Sequence, residues 1–345
     1  MSLRSEIFEQ PAVLDRLILN QRARAGEMAR TILEREVASI FVAARGTSDN
    51  AARYAKYLWG SMNRLPVALA APSLFTMYKT PPNLERCLVV GISQSGQSPD
   101  IVAVLAEGRR QGALTLAITN DPASPLAEQA DLVLETCAGS ELAIAATKTY
   151  TSQLFAIALL AAAMTGDPGL FAALEQVPRL VEETLALDGA IEGAAQRYRF
   201  MSQCAVIGRG FNYATAFEWA LKLKELTYVV AQPYSSADFK HGPIAIVSHG
   251  FPILAVVPRG AVFEDARGLL ATLAADHGAE LVVVSNDESA LALATTPMQL
   301  PTDLPEWVSP IVGIVPAQLF CYHLTRARGY DTETPRGLLK VTRTW

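Results

Sequence analysis

Charge is scarce in this chain. Of its 345 residues, 18% are Asp, Glu, Lys or Arg, against about a quarter in an average globular protein. The 29 basic and 34 acidic residues leave a net charge of −5 with no basic block, which argues against a nucleic-acid groove. Histidine and cysteine number four each. Cys87, Cys137, Cys204 and Cys321 lie far apart without a C-x-x-C pair, so they are expected as core thiols in a reducing compartment, neither disulfides nor zinc ligands. No metal-ligand cluster stands out, and no cofactor is expected. The longest apolar run, Leu154 to Met164, is too short to cross a bilayer. The N-terminal MSLRSEIFEQP carries acids and no apolar stretch, so it is not a signal peptide. A cytoplasmic protein without a membrane partner is expected. Hydrophobic residues are plentiful at 50%, and a chain so poor in charge is expected to hide surface in a homo-oligomer.

The length suggests two domains, and the chain contains itself twice. IFVAARGTSDN (40–50) matches CAVIGRGFN (204–212) at an offset of 164, Gly46 falling on Gly210. The same offset sets Val89-Val90 on Ile253-Leu254 and Gly96 on Gly260. LTLAITND (114–121) matches LVVVSND (281–287), Asn120 falling on Asn286 at 166. A repeat this long means paired domains. Each half alternates apolar strands with helices, the pattern of βαβ units, parallel sheets and sites at strand carboxyl ends. The α/β domains are expected at 1–165 and 199–345, with a helical connector at 166–198.

In LVVGISQSGQSPD (88–100) a strand pattern empties into small and amide side chains, and a helix pattern starts near Pro99. Backbone N–H groups at such a junction carry partial positive charge. Ser93, Gln94, Ser95 and Ser98 add donors, enough to hold a phosphate without a cation. Neither G-x-x-x-x-G-K-[ST] nor G-x-G-x-x-G is present in this turn, and a plain Ser/Gly turn with a helix cap is the alternative. Thr47 and Ser48 supply a second donor turn, and ATKTYTS (146–152) a third hydroxyl cluster. Val257 to Gly260, the matching turn of the second half, is poor in donors, so the halves have specialised and the first is expected to bind the anion.

The second half carries the ionisable groups. FEWALKLKELTYV (217–229) sets Glu218, Lys222 and Glu225 on one helix face, either a solvated stripe of ion pairs or the wall of a cleft. His241 sits in a Gly-Pro turn, and its unperturbed pKa suits acid–base work. Lys340 lies five residues from the end; composition alone reads it as a solvated terminal lysine.

Together RGTSDN, ISQSGQSPD, ATKTYTSQ, ALKLKE, FKHGPIA and PRGLLKVT, with EIFEQP at 6–11, resemble the sugar isomerase (SIS) domain pair of the glucosamine-6-phosphate synthases. The resemblance spans nearly the whole chain. It implies two tandem flavodoxin-like domains related by a pseudo-dyad, and a sugar 6-phosphate held by Thr47, Ser48, Ser93, Gln94, Ser95 and Ser98, with Ala145, Ala146 and Thr147 beside the sugar. It assigns C1–C2 proton transfer to Glu225, ring opening to His241 reaching across a homodimer interface, and a Schiff base to Lys340 on a closing tail. Glu218 and Lys222 become supporting residues. The departures are Arg45 where the synthases have cysteine, Ala146 where they have serine, and Asp238 where they have glutamate. Their N-terminal glutaminase is expected to be absent, because the isomerase lead-in starts at once.

The resulting expectation is an enzyme converting glucosamine 6-phosphate and water to fructose 6-phosphate and ammonia. The alternatives are an ammonia-dependent or partner-fed synthase, a deglycase of phosphorylated fructosamines, an aldose–ketose isomerase without nitrogen chemistry, and a non-catalytic sugar-phosphate sensor.

Overall fold

The computed structural model describes residues 2–340. It contains two five-stranded parallel sheets. The first comprises β1 (Ser39–Ala43), β2 (Val67–Leu69), β3 (Cys87–Ser93), β4 (Leu114–Thr119) and β5 (Leu132–Glu135) in the order β2-β1-β3-β4-β5. The second comprises β6 (Gln203–Gly208), β7 (Val230–Ser235), β8 (Pro252–Val256), β9 (Glu280–Ser285) and β10 (Thr296–Gln299) in the order β10-β9-β8-β6-β7. Read from its other edge, this is the first order one repeat later. The internal alignment holds: Val89-Val90 lies on β3 and Ile253-Leu254 on β8, while Asn120 and Asn286 follow β4 and β9.

The burial pattern explains why these segments are strands. β4 is buried along its whole length, and β3 from Leu88 onward, as expected where helices cover both faces of a parallel sheet. The edge strand β7 alternates exposed and buried residues through Gln232 and includes Pro233, which an edge position tolerates. Around each sheet lies its own apolar core. Val89, Val104, Leu105 and Leu126 contribute to one; Ile253, Leu270, Leu281 and Val283 contribute to the other. Full burial of one such side chain stabilises the fold by roughly 1.5–3 kcal/mol.

The chain forms two compact units. Among the described residues the first sheet's unit comprises Ala12–Glu141, Lys148–Gln176 and residues 339–340; the second sheet's comprises residues 2–11, Leu142–Thr147 and Val177–Leu338. The divisions expected at 165 and 198 follow chain order, whereas the compact units are discontinuous. Long-range hydrogen bonds account for one crossing. The buried Glu6 carboxylate accepts the Leu142 N–H at 2.5 Å and the Ala143 N–H at 3.2 Å, and Gln318 donates to the Thr147 carbonyl at 3.4 Å, so 142–147 belongs with the second sheet. The connector is helical, as Pro168–Leu185 and Asp188–Ala195. Among the described residues one helical segment, Glu306–Ala327, is long and apolar enough to cross a membrane; 94% of its apolar window is buried inside the fold, the condition of a core helix.

All four cysteines are free thiols; Cys87 is half-buried and the others are buried. Burial pushes the Cys204 thiol up to about 12, so it is inert as a nucleophile at neutral pH.

Candidate active site

In the first unit the strand order reverses between β1 and β3, the switch point at which open α/β sheets hold ligands beyond the strand carboxyl ends. Both donor-rich turns leave the sheet there. After β3 the chain folds back on itself: Ser93 Oγ accepts the Gly96 N–H at 3.1 Å, Ser95 Oγ accepts the Gln97 N–H at 3.3 Å, and the Gln94 carbonyl accepts the Asn120 N–H at 3.2 Å. Gly96 has φ +61°, and a Cβ there would lie 2.1 Å from the Ser124 hydroxyl oxygen; only glycine satisfies both conditions. Ser98 occupies the cap position of the Pro99–Arg110 helix without spending its hydroxyl on that helix. Gln94, Ser95, Gln97 and Ser98 are partly exposed, so the turn is open. Thr47 and Ser48 open the Gly46–Met62 helix after β1, and Gln153 fixes Ser48 by donating to its hydroxyl at 3.0 Å.

The Ser93–Ser98 turn holds no lysine or arginine, but one lies close to it: the Arg45 Nε donates to the buried Asp100 carboxylate at 2.8 Å, two residues beyond Ser98. This cation is paired, and the Gly96 and Gln97 N–H groups already serve Ser93 and Ser95, so the serine hydroxyls and the Gln94 amide are the donors the turn can offer. The third hydroxyl cluster is spent internally. Thr149 donates to Glu141 at 2.7 Å, while Thr151 and Ser152 donate to the Lys148 carbonyl. Ala145, Ala146 and Thr147 form the irregular segment ahead of the Lys148–Thr165 helix, with Ala146 the most open of the three.

Lys340 is not a loose terminal lysine. Its Nζ donates to Glu141 Oε2 at 2.8 Å, and the Glu141 side chain is fully buried. Val341 and Thr342, which close the C-terminal motif, lie outside the described residues.

In the second unit the Tyr213–Lys222 helix widens into a π-turn at Leu223–Thr227 and stops at Tyr228, whose φ is +59°. Such widened turns often mark functional positions. Lys222 joins the two glutamates: its Nζ lies 3.4 Å from Glu218 Oε1 and hydrogen-bonds Glu225. Side-chain exposure is graded, 0% for Glu218, 3% for Lys222 and 22% for Glu225. The stripe is therefore a buried ion-paired base that presents one carboxylate to solvent.

His241 ends the Ser236–Lys240 helix and is exposed; Gly242 follows at φ +126°. Ser235 caps that helix, and Asp238 is held twice by it: Ser235 Oγ accepts the Asp238 N–H at 3.0 Å and donates to its carboxylate at 2.7 Å. Beside it Asp265 receives Lys240 at 2.8 Å and Arg209 at 3.0 Å. The Lys240 hydrogen bond, then that of Ser236, holds the Asp265 carboxyl below the usual range. Arg209–Asp265 repeats Arg45–Asp100 at the second unit's own switch point, between β6 and β8. That switch point is filled from within: Glu306 Oε2 accepts the Ala261 N–H at 2.9 Å and lies against Gly260. A built-in carboxylate thus occupies the turn that matches Ser93–Ser98 of the first half.

Sequence reasoning missed Glu141, Asp100 and Glu306. Each is an isolated acid whose partner lies far along the chain, and no local spacing announces it.

A family model described as SIS domain matches residues 33–163 and 201–327. A glutamine–fructose-6-phosphate aminotransferase (isomerizing) of Thermus thermophilus is 33% identical over 97% of this chain and 57% of its own length. Its namesake from Methanothermobacter thermautotrophicus is 38% identical over 88% of this chain and 51% of its own. This chain therefore spans about half the length of these curated relatives. Among solved structures, the C-terminal domain of glucosamine-fructose-6-phosphate aminotransferase from Francisella tularensis superposes with a TM-score of 0.89 at 29% identity, covering 96% of this chain and 98% of that one.

Proposed function

The chain belongs to the SIS-domain family, and from that premise we propose that it is an amino-sugar-phosphate isomerase and deaminase, converting glucosamine 6-phosphate and water to fructose 6-phosphate and ammonia. One observation carries the chemistry: Glu225, alone of its ion-paired trio, is presented to solvent on a π-turn while Lys222 fixes it from below.

In this reading the Ser93–Ser98 turn, with Thr47 and Ser48, takes the phosphoryl group, and remote binding energy orients the sugar. His241, contributed by a second copy of the chain, exchanges the proton that opens the ring. Glu225 then takes the C2 proton and returns it at C1. One amine proton passes to O1, so the open-chain amino aldehyde becomes a C2 imine. The Lys340 amine attacks that carbon and expels ammonia. Water cleaves the resulting lysine imine, giving the ketose and restoring the free lysine. The named specificity of the relatives, which act on fructose 6-phosphate, supports a six-carbon substrate. Ala146 and Arg45 are the positions at which the amino group or the sugar would be held differently.

The test supplies glucosamine 6-phosphate and measures ammonia and fructose 6-phosphate, beside fructose 6-phosphate given ammonia or glutamine. Release of both products, lost in Glu225→Gln, is the expected result. Interconversion of glucose 6-phosphate and fructose 6-phosphate with no ammonia from any amino-sugar phosphate would leave a plain isomerase, and net amination of fructose 6-phosphate a synthase.

A further inference from the structure

We infer that Glu141 is the counter-ion of Lys340, holding the amine in place at rest and balancing the positive charge that stays on the same nitrogen when it becomes a protonated imine. The inference rests on the assignment of Lys340 as the imine-forming residue and goes one residue beyond it.

The geometry singles out Glu141. Its side chain is fully buried, a state rarely tolerated by a carboxylate without partners. It accepts the Thr149 N–H at 3.1 Å, the Thr149 hydroxyl at 2.7 Å and the Lys340 ammonium at 2.8 Å. The Thr149 donors sit in the first turn of the Lys148–Thr165 helix, whose amino end favours negative charge. The carboxylate is thus fixed in position by the first turn of the helix, independently of the lysine. Lys340 by contrast keeps 26% of its side-chain surface exposed, so it is not sealed in with its partner. Glu141 also immediately precedes the 142–147 segment that carries Ala145, Ala146 and Thr147.

Conversion of a lysine ammonium and a ketone to a protonated imine releases water and leaves the net charge at nitrogen unchanged. A resident counter-ion thus stabilises the start and the end of the step alike. It also keeps the nitrogen within reach of the sugar, where misplacement by about 1 Å can cost on the order of 100-fold in rate. Glu141 is accordingly a positioning and charge-balancing residue for Lys340, and its loss acts through that nitrogen.

Two reactions at this one amine test the idea because they are expected to move in opposite directions. In the absence of sugar, reductive methylation with formaldehyde and cyanoborohydride, read by peptide mass spectrometry, is expected to modify Lys340 about tenfold faster in Glu141→Gln, since the ammonium loses a buried partner. With fructose 6-phosphate and borohydride, trapping of the sugar on Lys340 is expected to fall at least tenfold in the same variant, with kcat dropping and KM little changed. Glu141→Asp, which keeps the charge but withdraws it by one methylene, is expected to fall between, and it carries the test if the glutamine variant does not fold. Methylation unchanged, or trapping undiminished, overturns the inference. Wild-type protein that turns over substrate yet never traps sugar at Lys340, with Lys340→Ala fully active, instead overturns the assignment of the lysine itself, and the inference with it.

Discussion

Replacing Lys222 by methionine takes a cation from the Glu218 carboxylate, which has no exposed side-chain surface. At 3.4 Å and an effective dielectric of about 20, the lost attraction is about 5 kcal/mol before any rearrangement. Removing one member of a buried pair typically costs about 3–5 kcal/mol, because the remaining charge keeps its desolvation penalty. Glu225 adds little to this cost, since 22% of its side chain already meets water. Lys222→Met is therefore expected to lower the local stability of the 213–227 segment by about 3–5 kcal/mol. Glu218→Gln leaves the ammonium paired with Glu225 and is expected to cost less, about 1–3 kcal/mol. The double variant removes the fully buried carboxylate charge together with its cation and is expected to be more stable than Lys222→Met alone, with a coupling of about 2 kcal/mol.

Native-state hydrogen exchange of this segment in increasing urea measures the quantity directly, and avoids treating a chain with two compact units as a single two-state transition. Additivity of the two substitutions within about 0.5 kcal/mol would refute the buried-pair argument. Activity gives a second, separate readout. Recovery of stability in the double variant is not expected to restore turnover, because Glu225 loses the cation that fixes it. A double variant as active as wild type would show that Lys222 has no part in placing Glu225.

Three further outcomes are expected. Gly96→Ala combines a left-handed φ with a Cβ 2.1 Å from the Ser124 oxygen; it is expected to abolish calorimetric binding of sugar phosphate and to destabilise the first unit by about 1–3 kcal/mol, so retained binding would place the phosphate elsewhere. Glu225→Gln and His241→Asn are each expected to be inactive by at least about 100-fold, yet mixing the two proteins and allowing subunits to exchange is expected to restore about a quarter of the activity if the histidine serves a neighbouring copy in a dimer; no recovery in a mixture proven to exchange would sink the shared site. On acidification, Asp287 has a folded pKa brought down to about 2, first by the Ser289 hydroxyl and then by Arg259, and Asp265 is lowered chiefly by Lys240. Depressed carboxylates take up protons in the unfolded chain first, so their contribution is complete above the ordinary aspartate pKa and is lost as pH falls from about 4 toward 2; urea midpoints that stay flat across that window would contradict it.

The sheets were legible because a covered parallel strand reads as a near-continuous apolar run, as in Leu88–Ile92 and, but for Thr115, Leu114–Ile118, and because the duplication repeats those runs in the same order at offsets of 164 to 166. The Ser93–Ser98 turn was legible because composition breaks abruptly where the strand ends. The hydroxyls of 149–152 were misjudged for a reason equally physical: inside a helix, Thr and Ser can turn back to a carbonyl one turn earlier, as Ser152 does to Lys148. The partners Glu141 and Lys340 are 199 residues apart, and no local rule joins such a pair. The π-turn at Leu223–Thr227 also leaves no mark on the apolar pattern that identified the helix.

The two switch points explain why a duplicated fold need not have two equal sites. Both keep an arginine at the end of the first strand of the repeat and an aspartate in the helix after the third, Arg45 with Asp100 and Arg209 with Asp265. What differs is the turn between them. In the first half it is a glycine-centred loop of serines and glutamines whose remaining donors face solvent. In the second half a backbone N–H already holds the Glu306 carboxylate, and a negative side chain on an anion turn excludes a second anion by charge as well as by space. With that turn satisfied internally, the second unit has no need of hydroxyl donors there. Its ionisable side chains are instead arranged on the widened helix end and the His241 turn, the positions to which the proposed reaction gives acid–base work.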